Sequence, residues 1–264
     1  RRFLQEFSAL YQGYVAGTPV TLPEQTVQYA DFAQWQRAWL QGPLLQQQLA
    51  YWRAHLADAP PLLELPTDYP RPAQQRFVGE RLVVALPAAL AEGLRTFSRQ
   101  QQSTLHMTLL AGFAALLARY SGMDDLVIGI PVAGRTIPEV EGLLGFFLNT
   151  LALRIRMHDQ PGFAALVAQV KQVTLDGYAH QEAPFEQVIE VVKPTPQLSH
   201  TPIFQVMFDL LQADAEPFTL PGLQVRPLDF STHSAKFDLN LVFQEGSPHP
   251  DGQGDASATT LVAT

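Results

Sequence analysis

Histidine is the side chain best placed for acid–base chemistry near neutral pH. The chain carries seven, His55, His106, His158, His180, His200, His233 and His249. No two stand at i, i+2 or i, i+4, so neither a strand nor a helix can present a metal-binding pair. Cysteine is absent, which excludes disulfides, thiolate catalysis and Cys-ligated zinc. The sequence has no G-x-S-x-G, no G-x-x-x-x-G-K-[ST], no G-x-G-x-x-G and no H-E-x-x-H. DGQGD at 251–255 has a faint likeness to a calcium loop but lacks the twelve-residue spacing and the closing Glu. Lysine occurs only at Lys171, Lys193 and Lys236, and 17 Lys+Arg against 25 Asp+Glu leave a formal net charge of −8. A basic groove for nucleic acid is therefore not expected.

The elements that must hold any site are legible from periodicity. Phe3, Leu4, Phe7, Leu10, Tyr11 and Tyr14 make one helical stripe over residues 1–14. Helical stretches follow at 29–40, marked by Phe32, Trp35 and Trp39, and at 44–57, marked by Leu45, Leu49, Trp52 and Leu56. Core packing is the expected role of these aromatics. Residues 58–75 hold Pro60, Pro61, Pro66, Pro70 and Pro72, and read as an extended connector lying on a surface through Leu62, Leu63 and Leu65.

Beyond it, strands and helices interleave. A strand is predicted at Arg81–Leu86 and a helix at 88–101. Thr104 is placed to cap a nearly all-apolar helix at 105–120 that Gly122 ends. LVIGI at 126–130 reads as a strand covered on both faces. Leu151, Leu153 and Ile155 alternate with Ala152, Arg154 and Arg156, which predicts a strand with one polar face. A helix at 163–178 and strands through Phe204–Leu210 and Phe237–Phe243 follow, and the pattern predicts an α/β layered fold. The tail from Gly246 loses both periodicities and is expected to be irregular. The longest apolar run, Leu105 to Ala118, is about 14 residues against the roughly 20 that a membrane helix needs. No signal peptide is visible, and an opening Arg1-Arg2 without Met suggests a piece of something longer. Taken alone, these features describe a soluble α/β domain without a catalytic set.

Four segments go further: YADFAQW (Tyr29–Trp35), GFFLNTLALR (Gly145–Arg154), HQEAPFE (His180–Glu186) and LSHTPIFQVMF (Leu198–Phe208). LPTDYPRP at 65–72, LLARYSGMDDLVIGIPVAGR at 116–135 and AKFDL at 235–239 support them. Together and in this order they resemble the motifs of nonribosomal peptide synthetase condensation domains. The resemblance covers the chain from Arg1 to about Glu245.

It implies an α/β fold like chloramphenicol acetyltransferase, in which two similar lobes face each other. By it, residues 1–58 are the end of the first lobe and its crossover, 59–75 the Pro-rich connector, 76–245 most of the second, acceptor-side lobe, and 246–264 an irregular tail outside the family pattern. It also implies amide formation between a donor acyl thioester and an acceptor amine, both carried on phosphopantetheine arms of carrier proteins. The expected partners are donor and acceptor carrier proteins and an adjacent adenylation domain, with no nucleic acid and no membrane, in the cytoplasm, and with no cofactor or metal bound by the domain itself.

The family's catalytic element, HHxxxDG, does not occur; there is no paired His and no H-x-x-x-D. The resemblance therefore assigns no catalytic residue to this chain, which alone is expected to be inactive. Asn149 is expected near the tunnel, where an amide can hydrogen-bond a thioester or pantetheine amide. Arg154 is expected to pair with the Asp of HHxxxDG and so to lack a partner here; without the resemblance, it is a solvated strand charge. His180 and Gln181 are expected to hold the segment bridging the lobes, with Pro184 stopping a helix and Phe185 anchoring it. Tyr29, Asp31 and Trp35 are expected to be scaffold. Glu182 stands where the family more often has Asp, Asp209-Leu210-Leu211-Gln212 departs from the usual Gln-Asn ending, and His106 stands where Phe is common, a tolerated core or edge position. The competing expectation is a non-catalytic docking or recruitment module of the same fold. Epimerisation or heterocyclisation is a third, against which the HQEAPFE segment speaks.

Overall fold

The computed structural model describes residues 2–158, 161–211, 218–226, 228, 232–246 and 260–263. DGQGD and most of the tail lie outside them. Three helices open the chain: α1 (Arg2–Ala16), α2 (Tyr29–Trp39) and α3 (Gly42–His55). After the connector come β1 (Val84–Ala85), α4 (Ala88–Gln100), α5 (Leu105–Ser121), β2 (Asp125–Val132) and β3 (Asn149–Arg156). Then follow α6 (Phe163–Ala179), α7 (Phe185–Val192), β4 (Val206–Leu211), β5 (Leu239–Gly246) and β6 (Thr260–Ala263).

The six strands form one mixed sheet in the order β1-β6-β5-β4-β2-β3. β2 is antiparallel to β3 and parallel to β4, and β4 is parallel to β5. The hydrophobic pattern explains why β2 is central. Leu126 through Ile130 are all buried, as a strand with neighbours on both edges and layers on both faces requires. Its Gly129 is needed because a Cβ there would stand 2.4 Å from the Phe204 ring.

α5 and α6 cover one face. The Thr104 side chain accepts from the Met107 N–H, and Gly122 closes the C-terminus of α5 in the left-handed conformation (φ 70°), both as the sequence predicts. Ala111 and Ala114 are buried and keep α5 close to its neighbours. Between α4 and α5 a polar contact is satisfied internally, Ser98 Oγ to Thr108 Oγ1 at 2.8 Å.

Five expectations are corrected. The stripe of α1 is exposed, Phe3 by 62% and Tyr14 by 87%, because little among the described residues lies against it beyond Phe218 and Thr219. Trp35 and Trp39 likewise stack on each other at 5.1 Å with their outer faces open, whereas Trp52 is 1% exposed. The strand expected at 81–86 shrinks to Val84–Ala85, since β6 offers it only two rungs. Pro184 starts a helix instead of stopping one: α6 has already ended at Ala179, and Pro184 is the cap residue before α7 (φ −59°, ψ 138°), where no N–H is needed. The tail is not wholly irregular, because Thr260–Ala263 pair with Phe243–Gly246 on one side and with β1 on the other.

The connector lies on the domain surface. Leu63 is buried, and its N–H donates to Gln205 Oε1 at 2.8 Å. Gln205, 2% exposed, returns donor bonds to the carbonyls of Pro61 (3.2 Å) and Thr201 (2.9 Å). One buried amide thus ties the proline-rich segment to the start of β4.

Candidate functional site

Arg154 is neither solvated nor unpartnered. It is 6% exposed, and it forks onto Asp125, Nε to Oδ1 at 2.8 Å and Nη2 to Oδ2 at 2.6 Å. Antiparallel register sets Asp125 opposite Arg156 and one diagonal from Arg154, within reach of the long side chain. The remaining guanidinium N–H groups donate to the carbonyls of His55 (3.3 Å), Ala57 and Asp58 (3.1 Å). The face expected to be polar is therefore a buried ionic joint between β3 and the exit of α3. The Arg154 backbone N–H also donates to His55 Nε2 at 2.9 Å. Burial, and then the charges of Arg154 and Arg156, lower the His55 pKa to about 4, in keeping with an unprotonated Nε2.

Asn149 opens β3 and faces the turn between α6 and α7. Its Nδ2 donates to the carbonyls of Gln181 and Ala183, both at 2.8 Å. Its Oδ1 accepts from the N–H of Thr150 (2.9 Å) and of Phe185 (3.1 Å). Both donors and both lone pairs are engaged, so the amide expected to serve a thioester instead clasps HQEAPFE to GFFLNTLALR.

His180 belongs to the same turn. Its ring lies flat on Tyr51 at 3.9 Å, its Nδ1–H donates to the Asp176 carbonyl at 2.8 Å, and its carbonyl accepts from Trp52 Nε1 at 2.8 Å. Burial, and then the Asp176 charge, push the Tyr51 hydroxyl up to about 12. Gln181 contributes its carbonyl to the clasp and also lines a crevice at the ends of β2 and β4. Glu182 is half-buried; burial holds its carboxyl above the usual range, and the Thr136 side chain works against the rise.

YADFAQW meets the other end of GFFLNTLALR. Tyr29 Oη donates to the Phe146 carbonyl at 2.8 Å, and its ring meets Phe147 edge-on at 5.1 Å. Asp31 Oδ2 accepts from the Gln28 N–H at 2.8 Å and completes a reciprocal cap on α2. Trp35 packs on Phe32 at 5.8 Å. Gly134 of PVAGR fits here for a backbone reason: at φ 62°, a Cβ would fall 1.8 Å from the Phe147 carbonyl oxygen.

At the C-terminal ends of β2 and β4 the crevice, about 390 Å³, opens between Pro131–Ala133, His106, Tyr178, Gln181 and Asp209. His106 meets Phe208 edge-on at 5.1 Å, and its Nδ1 is buried without a partner among the described residues. Burial lowers its pKa to about 4, so it is neutral at neutral pH. Burial raises the Asp209 carboxyl, while its bond from the Leu210 N–H opposes the rise. The Tyr178 hydroxyl is raised by burial and by the Asp209 charge.

Sequence reasoning missed Asp125, His55, Gln205 and the grouping of His106, Tyr178 and Asp209. A signal for Asp125 existed: a carboxylate heading an otherwise apolar strand, one hairpin away from a motif arginine. Nothing local points to the crevice, whose lining comes from separate elements. Among the described residues no group of three or more His, Asp or Glu could hold a metal ion, and no helix is long and apolar enough to cross a membrane.

A family model for the condensation domain matches residues 1–249. The chain belongs to the condensation domain family. Among the relatives of this condensation domain, malpinin synthetase of Mortierella alpina is 46% identical over 242 residues, 92% of this chain. A linear gramicidin synthase of Brevibacillus parabrevis is 46% identical over 245 residues, again 92% of this chain. The chain spans about 3% of the length of each of these relatives. Among solved structures, the X-domain from teicoplanin biosynthesis superposes with TM-score 0.83 at 24% identity, over 99% of this chain and 59% of that one. The four-domain nonribosomal peptide synthetase holo-AB3403 superposes with TM-score 0.79 at 24% identity, over 99% of this chain and 20% of that one. These likenesses show the fold, the α/β fold of the chloramphenicol acetyltransferase type.

Proposed function

We propose that the chain is the part of an amide-forming condensation domain that builds the second, acceptor-side lobe and the joint to the first. Residues 1–58 are the end of the first lobe and its crossover, 59–75 the connector, and 76–245 most of the second lobe. In the reaction the acceptor's amine nitrogen attacks the donor's thioester carbonyl. The C–N bond forms, the C–S bond breaks, the sulfur leaves as a thiol, and the nitrogen gives up a proton. Both substrates ride on phosphopantetheine arms of carrier proteins, with an adenylation domain supplying the acceptor.

The observation that carries this reading is the family match over residues 1–249, joined to the way Asn149 locks two of its motifs together. The chain's own residues act as scaffold: Arg154 and Asp125 hold the exit of α3 against the sheet, and Asn149 fixes the turn at His180–Phe185. No residue of this chain is assigned the proton transfer, because the sequence has no HHxxxDG. The chain alone is therefore expected to give no dipeptide from two loaded carrier proteins. The full-length protein that carries it is expected to give one. Turnover by the chain alone overturns the division of labour, and a full-length protein with an intact HHxxxDG that makes no amide overturns the function.

The runner-up is a recruitment module. The teicoplanin X-domain has been solved in complex with OxyB, and that chain is 26% identical to this one with TM-score 0.83. A degenerate HHxxxDG in the full-length protein, together with capture of a tailoring enzyme, favours this alternative.

A further inference from the structure

We propose that the crevice at the C-terminal ends of β2 and β4 is a side-chain pocket that selects an aminoacyl substrate bearing a cationic nitrogen, with Asp209 accepting its hydrogen bond. The proposal rests on the reading that aminoacyl thioesters are joined on this domain.

β2 and β4 are parallel neighbours that share a single paired rung, Gly129 with Met207. The space at the carboxyl ends of parallel strands is where open α/β sheets take ligands. The crevice, about 390 Å³, falls inside the range of roughly 300–1,000 Å³ typical of small-molecule pockets.

Its chemistry is one-sided. Among the described residues, Asp209 is the only lining residue with a formal charge at neutral pH, since His106 is neutral. Asp209 Oδ1 accepts from the Leu210 N–H at 2.8 Å, and its second oxygen has no partner among the described residues. The sequence has no Lys or Arg between Lys193 and Arg226 that could supply a cation from its own strand or the segments flanking it. A half-buried carboxylate without a counter-charge is an unfavourable arrangement that an entering ammonium or guanidinium relieves. Pro131 and Leu210 offer apolar surface for the methylene stem of such a side chain. Burial has already moved the carboxyl upward, as an uncompensated site requires.

The test uses the full-length protein and compares lysyl with norleucyl substrates, which differ by the terminal nitrogen. Each is loaded in turn on the acceptor and on the donor carrier, so the two arms tell which aminoacyl group enters. In the arm that uses the crevice, Asp209→Asn is expected to lower kcat/KM for the lysyl substrate about 10- to 100-fold. The norleucyl value should change by less than about threefold. Asp209→Ser is expected to behave alike, and thermal melts of both variants report folding. Equal change for lysyl and norleucyl in both arms, or no change, overturns the proposal. If the wild-type protein makes no amide with any pair, the functional reading fails separately. Calorimetric titration with lysyl- and norleucyl-pantetheine amides then decides: Asp209-dependent preference for the lysyl amide supports the pocket, and its absence overturns it.

Discussion

Arg154 and Asp125 join the second and third strands on a diagonal, Nε to Oδ1 at 2.8 Å and Nη2 to Oδ2 at 2.6 Å, with the arginine 6% exposed. The same guanidinium caps three carbonyls at the exit of α3, so one side chain ties that helix to the sheet. Removing one partner of such a buried pair leaves the other charge unpaired. Arg154→Ala is expected to lower unfolding free energy by about 3 kcal/mol or more in urea titrations. Arg154→Lys should recover only a fraction, since an ammonium cannot reproduce the fork. A loss under about 1 kcal/mol for Arg154→Ala would show that the joint is solvated.

Asn149 donates twice and accepts twice, all to backbone groups of its own strand and of HQEAPFE. Asn149→Ala leaves two carbonyls and the Phe185 N–H unpaired and is expected to destabilise by about 2–4 kcal/mol. Asn149→Asp should be worse, because a carboxylate oxygen then faces two carbonyl oxygens. Hydrogen exchange at Phe185 is the local readout. Equal stability of Asn149→Asp and wild type would refute the clasp.

Two histidines make the fold sensitive to acid. The pKa of His55 and of His106 is lowered from 6.5 to about 4 in the folded chain, in each case chiefly by burial. The fold holds the neutral form, so the stabilisation is complete above pH 6.5 and is lost as pH falls toward 4. Linkage puts the loss at roughly 2 kcal/mol for each histidine by pH 4.5. Asp209 and Glu182, whose values are raised by burial, oppose the trend. His106→Phe removes an unpaired buried nitrogen, and it is expected to hold or raise the melting temperature at pH 7 and to flatten the acid limb. An unchanged acid limb in that variant would contradict the burial argument.

The apolar stripe of α1 has an association phenotype. Phe3, Leu4, Phe7 and Leu10 are each more than 40% exposed on one helical face. Contiguous apolar surface of this kind drives self-association in water. The isolated chain is expected to sediment as a mixture of species that shifts upward with concentration. The double variant Phe3→Ser, Phe7→Glu should move it toward monomer without lowering the melting temperature. A clean wild-type monomer at high concentration would run against this expectation.

Much was legible in the linear chain because periodicity and punctuation are local. The cap at Thr104, the stop at Gly122, the fully covered LVIGI strand and the helices at 29–40, 88–101 and 163–178 each follow from residues within a few positions of one another. The family membership was legible for a related reason: motif order survives when contacts are invisible.

What periodicity could not resolve is which apolar face is covered and which polar residue is paired, because both depend on elements distant in sequence. Alternation alone makes Arg154 a solvent-facing charge; the register with β2 and the exit of α3 bury it against Asp125. Helical periodicity alone makes Phe3 and Phe7 core residues, yet burial needs an opposing surface that α1 does not meet among the described residues. His106, Tyr178 and Asp209 are 72 and 31 residues apart along the chain. They share one crevice because β2 and β4 run parallel and bring their carboxyl ends beside the start of α5 and the end of α6. Side-chain type and local order were properties of the sequence; partnership was decided by the tertiary fold, since charge pairing and desolvation act through space.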